Sequence, residues 1–228
     1  ADNYDNNYQL DGGIDSYNVS NQICQYKTYS NVFNVQEKEG IASENLEAVS
    51  LSFTHVADVN YKVEVYTDLK DSNPYSGTKQ EVATTEGTTT YAGLYTIPLK
   101  ESVQLTPGSS FSIVVTTDKY SLDYEQGINW EKDGVKVWDA PVSLNSGKSF
   151  YGNSNYQWSW YWGNFCIKAF TTNNRDFGEK IKGTSATLNG SIDMNLYVDI
   201  PKNSELMNDQ DAYIEFTVNG NISKVKVS

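Results

Sequence analysis

Short segments in which apolar and polar residues alternate recur along this chain, with turn residues between them. In the segment 60–67 (NYKVEVYT), Tyr61, Val63 and Val65 fall on one face of an extended strand. The segment 111–117 (FSIVVTT) is the most apolar run and is predicted to be a core strand. No segment of any length shows the 3.6-residue period of an amphipathic helix. The pattern therefore predicts an all-β chain, folded as a sandwich or a barrel.

The strand signals fall into two groups. The first group occupies residues 1–172, with 68–91 as a long polar connection and 164–171 (NFCIKAFT) as the last strand. The polar segment 173–182 is predicted to be a linker. Residues 183–228 carry strand signals of their own, but they are too few to bury a large core. We interpret them as a small β-rich module, either truncated or packed as an appendage on the first domain.

The charge of the chain restricts its partners. It has 17 Lys and Arg against 29 Asp and Glu, a formal net charge of −12. Such a chain is not expected to bind nucleic acid or an anionic membrane, and no apolar run is long enough to insert into a bilayer. The acidic surface fits an extracellular protein. The polar start at Ala1 is expected of a segment of a longer precursor.

Catalytic chemistry has few candidates here. His55 is the only histidine, so a Ser/His or Cys/His mechanism would have to use it. It stands at the end of a predicted strand, where ordinary local hydrogen bonds are expected. The chain has neither a Gly-Xaa-Ser-Xaa-Gly elbow nor a phosphate-binding loop. Two carboxylates suffice for a glycosidase, but no acidic pair lies in an apolar strand that would raise a pKa. We predict that the chain is not an enzyme.

Aromatic residues concentrate in one part of the chain, and all five tryptophans lie within 130–162. Aromatic rings stack on the apolar C–H faces of sugars, while amide side chains bind the hydroxyls. One face of the segment 156–162 must fill the core. If that is the tryptophan face, Gln157 and Tyr161 are exposed. One or two exposed rings are expected in either case, because consecutive bulky rings are hard to bury together. The predicted ligand-binding residues are Trp130, Trp138, Tyr156, Trp158, Trp160, Tyr161 and Trp162.

Several blocks of the sequence, taken in order, resemble a known family. They are 4–13 (YDNNYQLDGG), 31–33 (NVF), 46–51 (LEAVSL), 59–66 (VNYKVEVY) and 164–171 (NFCIKAFT). They are similar to blocks of the lectin-like domain that follows the papain-like peptidase domain in cell-surface proteins of clostridia and other gut anaerobes. The resemblance extends from about residue 4 to residue 172. The catalytic domain has no counterpart here, so no peptidase residue is carried over.

The resemblance implies a jelly-roll-like antiparallel β-sandwich, a bacterial cell-surface or secreted protein, and often a structural Ca²⁺. In such modules the ion often links an early loop to a late one through hard oxygen ligands. The expected ligands are Glu37 or Glu39 together with Asp139 or Asn164, and the loop 11–15 is a further candidate. The alternative is that these acidic turns are simply solvated.

The two cysteines, Cys24 and Cys166, lie in the first and last predicted strands of the main domain. No Cys-Xaa-Xaa-Cys pair is present, which argues against structural zinc and thioredoxin-like chemistry. They form either one disulfide or two buried free thiols. Because surface proteins of anaerobes generally avoid disulfides, the family resemblance favours free thiols.

Three functions remain open from the sequence. The first is a binding module for cell-wall or host mucin glycan. The second is an adhesin module that contacts a host protein, such as a glycoprotein or an immunoglobulin, or the parent peptidase. The Tyr/Ser/Asn-rich composition supports this second alternative, because antibody paratopes have a similar composition. The third is a structural spacer in a modular surface protein.

Overall fold

The computed structural model divides the chain into two compact units, residues 1–174 and 175–228. For residues 16–18, 128–132, 136–140 and most of those after 174, the backbone alone is described. The residues that the structure describes are 3–12, 16–18, 26–125, 128–140, 147–159, 163–175, 180–188, 192–199, 213–218 and 221–226.

The first unit is built almost entirely from antiparallel strands, together with one turn of 3₁₀ helix at Glu81–Ala83. In chain order the strands are β1 (Asn6–Tyr8), β2 (Ser16–Asn18), β3 (Thr28–Asn34), β4 (Ile41–Phe53), β5 (Asn60–Thr67), β6 (Thr78–Lys79), β7 (Thr85–Thr88), β8 (Gly93–Leu105), β9 (Ser110–Thr117), β10 (Asp123–Glu125), β11 (Ile128–Lys132), β12 (Val135–Ala140), β13 (Ser149–Asn153), β14 (Tyr156–Ser159), β15 (Asn164–Phe165) and β16 (Ile167–Arg175).

Two main sheets enclose the core. One has the strand order β1-β16-β4-β8, and the other has the order β14-β13-β3-β9-β5-β6, with β7 also paired to β5. Large side chains from both sheets are fully buried between them; they include Leu51 and Phe53 of β4 and Phe111 and Ile113 of β9. Each such side chain contributes about 1.5–3 kcal/mol of burial free energy. The prediction of an all-β antiparallel sandwich is confirmed.

The central strands match the sequence pattern closely. β5 coincides with the predicted segment 60–67, and its inward residues Val63 and Val65 are fully buried. β9 lies between β3 and β5, and this central position agrees with the prediction that the segment 111–117 is a core strand. Its outward residue Val114 is also fully buried.

The predicted polar connection 68–91 carries more structure than its composition indicates. It contains β6, the 3₁₀ turn and β7, and both strands pair with the edge of β5. Its first part contacts the outer face of the same sheet, because the Ser112 hydroxyl donates to the Pro74 carbonyl at 2.5 Å. The Tyr66 and Tyr75 rings meet edge to face, at a centroid distance of 5.2 Å. Pairing with β5 therefore orders a segment that has no strong alternation of its own.

Smaller sheets complete the first unit. β2, β10 and β15 form a three-stranded sheet in the order β15-β10-β2, and β11 pairs with β12 as a hairpin. The three-stranded sheet carries the acidic residues Asp123 and Glu125, both fully buried.

In its described residues, the second unit contains two antiparallel hairpins. They are formed by β17 (Lys180–Leu188) with β18 (Ile192–Asp199) and by β19 (Tyr213–Val218) with β20 (Asn221–Lys226). The Lys224 ammonium donates to the Tyr213 hydroxyl at 2.8 Å. The predicted turn Asn219-Gly220 lies outside the described residues. Within the predicted linker 173–182, β16 continues to Arg175 and β17 begins at Lys180.

Candidate functional site

The hairpin formed by β13 and β14 presents the most exposed aromatic rings of the described tryptophan-rich segment. Tyr151 lies opposite Trp158, and Asn153 lies opposite Tyr156. At the turn, Asn153 Oδ1 accepts hydrogen bonds from the backbone amides of Asn155 at 3.0 Å and Tyr156 at 3.2 Å. Asn is favoured here because its side chain imitates a backbone turn. The hydrogen bonds therefore fix the turn just before Tyr156.

Gly152 allows the two strands of this hairpin to approach closely. Its φ of +123° is a conformation that favours glycine. A Cβ at this position would lie 2.0 Å from the Tyr156 carbonyl oxygen. On the other side, the Tyr75 hydroxyl donates to the Gly152 carbonyl at 3.4 Å. A larger residue would force the two strands apart.

The aromatic face of the hairpin continues the inward face of the seven-stranded sheet beyond the core. β13 pairs with β3 so that Tyr151 lies opposite Tyr29. Tyr29 is fully buried and packs against Phe165 at a centroid distance of 5.2 Å. One strand further out, Tyr151 is only partly buried and Trp158 is 38% exposed. Side chains on this face of the sheet are therefore buried in the core on β3 but exposed to solvent on β14.

Four rings meet at this edge and form what we call the aromatic cluster: Tyr26, Tyr151, Tyr156 and Trp158. The Trp158 ring lies 5.3 Å from that of Tyr26, 5.5 Å from that of Tyr151 and 6.2 Å from that of Tyr156. The interplanar angles are 22°, 26° and 14° in the same order. Each such aromatic pair contributes about 0.5–1.5 kcal/mol beyond its area burial. Tyr156, at 62% exposed, is the outermost ring.

The structure brings together two of the seven predicted ligand-binding residues, Tyr156 and Trp158, and exposes both. The alternative in which the tryptophan face of this strand fills the core does not hold for Trp158. The backbone places Trp130 opposite Trp138 in the β11–β12 hairpin. Their side chains, and residues Trp160, Tyr161 and Trp162, lie outside what the structure describes, so their roles stay predictions.

Two members of the aromatic cluster, Tyr26 and Tyr151, were not among the predicted site residues. The position of Tyr151 could have been predicted from the sequence, because the turn residues in 152–155 (GNSN) indicate a hairpin that places it opposite Trp158. The position of Tyr26 could not. It precedes β3 and reaches Trp158 only through the pairing of distant strands.

A second feature is a pair of buried acidic residues at the place where the start of the chain contacts β10. Asp11 and Glu125 are almost fully buried, and the Gly12 amide donates to Glu125 Oε2 at 2.6 Å. Lys168 Nζ lies 2.8 Å from Asp11 Oδ2, while Asp11 Oδ1 has no hydrogen-bond partner. Asn164 lies opposite Glu125 and donates its amide to the Leu10 carbonyl at 3.0 Å. An early loop and a late strand therefore converge here.

These oxygen donors are of the kind that suits Ca²⁺. The unpartnered Asp11 Oδ1 fits a cation ligand, because a buried carboxylate oxygen without a donor is costly. No group of three or more His, Cys, Asp or Glu side chains is arranged to hold a metal ion within the described part of the chain. A cation would therefore also need amide or backbone oxygens.

The predicted metal ligands are not all in one place. Glu37 and Glu39 are exposed in the loop between β3 and β4, and Glu37 lies beside Gly108. Asn164 is buried and contacts Leu10. The side chain of Asp139 lies outside the described residues. The structure thus places Asn164 against Leu10, next to the start of the candidate loop 11–15, whose residues 13–15 lie outside the described residues. It places Glu37 against a different turn.

His55 makes a short contact with a buried carboxylate. His55 Nδ1 lies 2.9 Å from Asp123 Oδ1, and Asp123 is fully buried. Asp123 Oδ2 accepts hydrogen bonds from the Ser52 hydroxyl at 2.7 Å, the Thr54 hydroxyl at 2.6 Å and the Thr54 amide at 2.7 Å. A nucleophilic hydroxyl would instead bond the imidazole nitrogen that the carboxylate leaves free. These contacts hold the end of β4 against β10.

Cys166 is a free, buried cysteine. Burial raises the pKa of its thiol, and the nearby carboxylates of Asp11, Asp123 and Glu125 raise it further. A neutral, enclosed thiol is a poor nucleophile. Cys24 lies outside the described residues.

The fold defines the class of this protein as an antiparallel β-sandwich. The model of the family described as "Lectin like domain" matches residues 7–171, which is more than half of the chain. The chain belongs to this family. No curated protein matches it.

A solved structure with a similar fold contains the cysteine protease and lectin-like domains of Cwp84, a surface layer associated protein of Clostridium difficile. The identity is 23%, the TM-score is 0.49, and the match covers 74% of this chain and 36% of that chain. The present chain therefore spans about a third of the length of that protein. In the described parts of this chain, no helix is long and apolar enough to cross a membrane.

Proposed function

We propose that this chain is a non-catalytic, glycan-binding module of a bacterial surface or secreted protein, with cell-wall or host mucin glycan as its ligand. The observation that carries the proposal is the aromatic cluster, in which Tyr156 is 62% exposed and Trp158 38% exposed at the edge of the sandwich. Family membership supports the same function.

The cluster has the physical properties of a sugar-stacking site. Trp158 is held by rings at 5.3, 5.5 and 6.2 Å, so little side-chain entropy is lost when a ligand docks on it. Asn153 and Asn155 supply amide groups at the adjacent turn. Apolar ring faces beside a few fixed polar groups are the usual composition of a ligand site.

Alanine substitution of the exposed rings tests the proposal. Tyr156→Ala and Trp158→Ala should each weaken binding to cell-wall or mucin glycans about fivefold, since one lost ring contact is worth roughly 1 kcal/mol. Tyr91→Ala is a matched control, because Tyr91 is 75% exposed and lies outside the cluster. Binding is measured on a glycan array and by calorimetry, with Ca²⁺ present. Failure of the folded wild-type protein to bind any of these glycans would refute the proposal.

The alternative is a protein-binding adhesin module. The hairpin sequence 149–159 (SFYGNSNYQWS) consists of Tyr, Ser, Asn and other residues that are common in antibody paratopes. The partners to test are host glycoproteins, immunoglobulin and the parent peptidase. Binding of a deglycosylated partner that Tyr156→Ala abolishes would favour this alternative. A chain that binds neither glycan nor protein would be a structural spacer.

We also propose a structural Ca²⁺ held by Asp11 and Glu125, with Asn164 beside them. Support comes from the buried, unpartnered Asp11 Oδ1 and from the negative charge of Asp11, whose other carboxylate oxygen pairs with Lys168. Adding Ca²⁺ to chelator-treated protein should raise the melting temperature, and Asp11→Asn and Glu125→Gln should remove that increase. Glu37→Gln and Glu39→Gln are the controls. Loss of the increase in the control variants instead would place the ion in the loop between β3 and β4.

A further inference from the structure

The hairpin that carries the exposed rings has no charged residue. Its eleven residues, 149–159, are Ser, Phe, Tyr, Gly, Asn, Gln and Trp, whereas 20% of the chain as a whole is charged. The hairpin therefore offers a ligand flat rings, amides and hydroxyls, but neither a cation nor a carboxylate.

The lysine that follows Tyr26 contacts another part of the domain. Lys27 follows Tyr26, but its ammonium donates to the Asp118 carbonyl at 2.6 Å and lies 5.2 Å from the centre of the Tyr120 ring. Lys148 precedes the hairpin and lines a groove of about 460 Å³ between β1 and β3, together with Leu10 and Val32. Lys27 is therefore not positioned to pair with an anion on Trp158.

The polar groups at the turn suit uncharged hydroxyls. Asn153 Oδ1 already accepts two backbone amides, which leaves its Nδ2 group as the donor for a ligand. Asn155 is exposed and offers both a donor and an acceptor. Sugar hydroxyls both donate and accept hydrogen bonds, so such a pair can bind them without help from a charged side chain.

We propose that the aromatic cluster selects neutral pyranosides, that is, glycan units without carboxylate, sulfate or phosphate. This inference rests on the glycan-binding function proposed above. An anionic sugar would lose hydration at the rings without gaining a charge-assisted hydrogen bond from the hairpin 149–159, which has neither lysine nor arginine. It would also approach a chain with a net charge of −12, which repels anions at long range. A neutral sugar incurs neither cost.

Matched glycans that differ only in charge test the inference. The probes are neutral mucin O-glycans and their sialylated and sulfated counterparts, and a neutral cell-wall polysaccharide with a phosphate-bearing one. Dissociation constants are measured at 50 and 500 mM NaCl for the wild-type protein, Tyr156→Ala and Tyr91→Ala. Each neutral probe should bind at least about tenfold more tightly than its charged counterpart. Its dissociation constant should change less than about twofold with salt, because screening acts only on charges.

The results separate the inference from the function on which it rests. Equal or tighter binding of the charged probes, weakened by salt, would overturn the inference and leave the glycan-binding function standing. Loss of neutral-probe binding in Tyr156→Ala but not in Tyr91→Ala would assign the preference to the aromatic cluster. Equal loss in both variants would overturn that assignment. No binding of any probe by the folded wild-type protein would refute the glycan-binding function itself.

Discussion

Trp158 lies directly opposite Tyr151 on the β13–β14 hairpin, and their rings stack at a centroid distance of 5.5 Å with an angle of 26° between the planes. Tyr151 in turn lies opposite Tyr29, which is part of the core. The exposed site and the interior are thus joined by a row of cross-strand aromatic pairs. Changes in the hairpin backbone should therefore alter both the aromatic cluster and the stability of the protein.

The first prediction concerns Gly152. Gly152→Ala should destabilise the protein by roughly 2 kcal/mol or more, because strain at an unfavourable φ adds to a clash with the Tyr156 carbonyl. It should also change the fluorescence of Trp158 and weaken ligand binding. The control is Gly40→Ala, at a φ of +73° with nothing within 4 Å of the added Cβ. Equal losses in urea unfolding for both variants would contradict the role assigned to close strand approach.

The second prediction concerns Asp123. Asp123→Ala should lower the free energy of unfolding by roughly 2–4 kcal/mol, because the Ser52 hydroxyl and the Thr54 amide lose their buried acceptor. His55→Ala should cost less than about 1 kcal/mol, because its side chain is 46% exposed and the contact is screened by water. Urea unfolding measures both variants. A larger loss in His55→Ala would show that the imidazole is the main support.

The third prediction concerns alkaline pH. Burial raises the pKa of the Tyr75 phenol above its ordinary value near 10, and burial together with the hydrogen bond to Glu44 raises that of Tyr8. A raised folded-state pKa contributes stability that is fully present below about pH 10 and is lost as the pH rises further. Stability should therefore fall above about pH 10, in step with ionisation measured by tyrosine absorbance.

Variants separate this effect from general alkaline damage. Tyr75→Phe removes one of the tyrosine hydroxyls whose pKa is raised, and it should make the decline shallower. Tyr91→Phe, at an exposed side chain outside the core, is the matched control. A decline with the same slope in wild type and Tyr75→Phe would show that ionisation of Tyr75 is not coupled to unfolding.

The fourth prediction concerns Cys166. In a Cys24→Ser background it is the only thiol, and it should not react with a disulfide reagent at pH 8 in the folded protein. Burial and the surrounding carboxylates raise the pKa of the thiol, so little thiolate is present for attack. The thiol should react fully once urea unfolds the chain. Rapid labelling of the folded protein would contradict the buried position.

The regular parts of the fold could be predicted because local patterning decides them. β5 agrees with the predicted segment 60–67 to the residue, since inward and outward positions alternate along a half-buried strand. β6 and β7 could not be predicted in this way. They are ordered by pairing with β5, which the residues of these short strands do not indicate by themselves.

The candidate site, too, could be predicted in part from local sequence and in part only from the tertiary structure. Strand alternation by itself placed Tyr156 and Trp158 on one face, and the composition of 149–159 fixed the absence of charge beside them. Only the tertiary structure decided that this face is exposed, because exposure depends on how far the seven-stranded sheet extends beyond its partner. It also brought Tyr26 to Trp158 and Asn164 to the loop at Leu10. Local chemistry specified which side chains can bind a ligand, and contacts between distant strands determined which of them reach the surface.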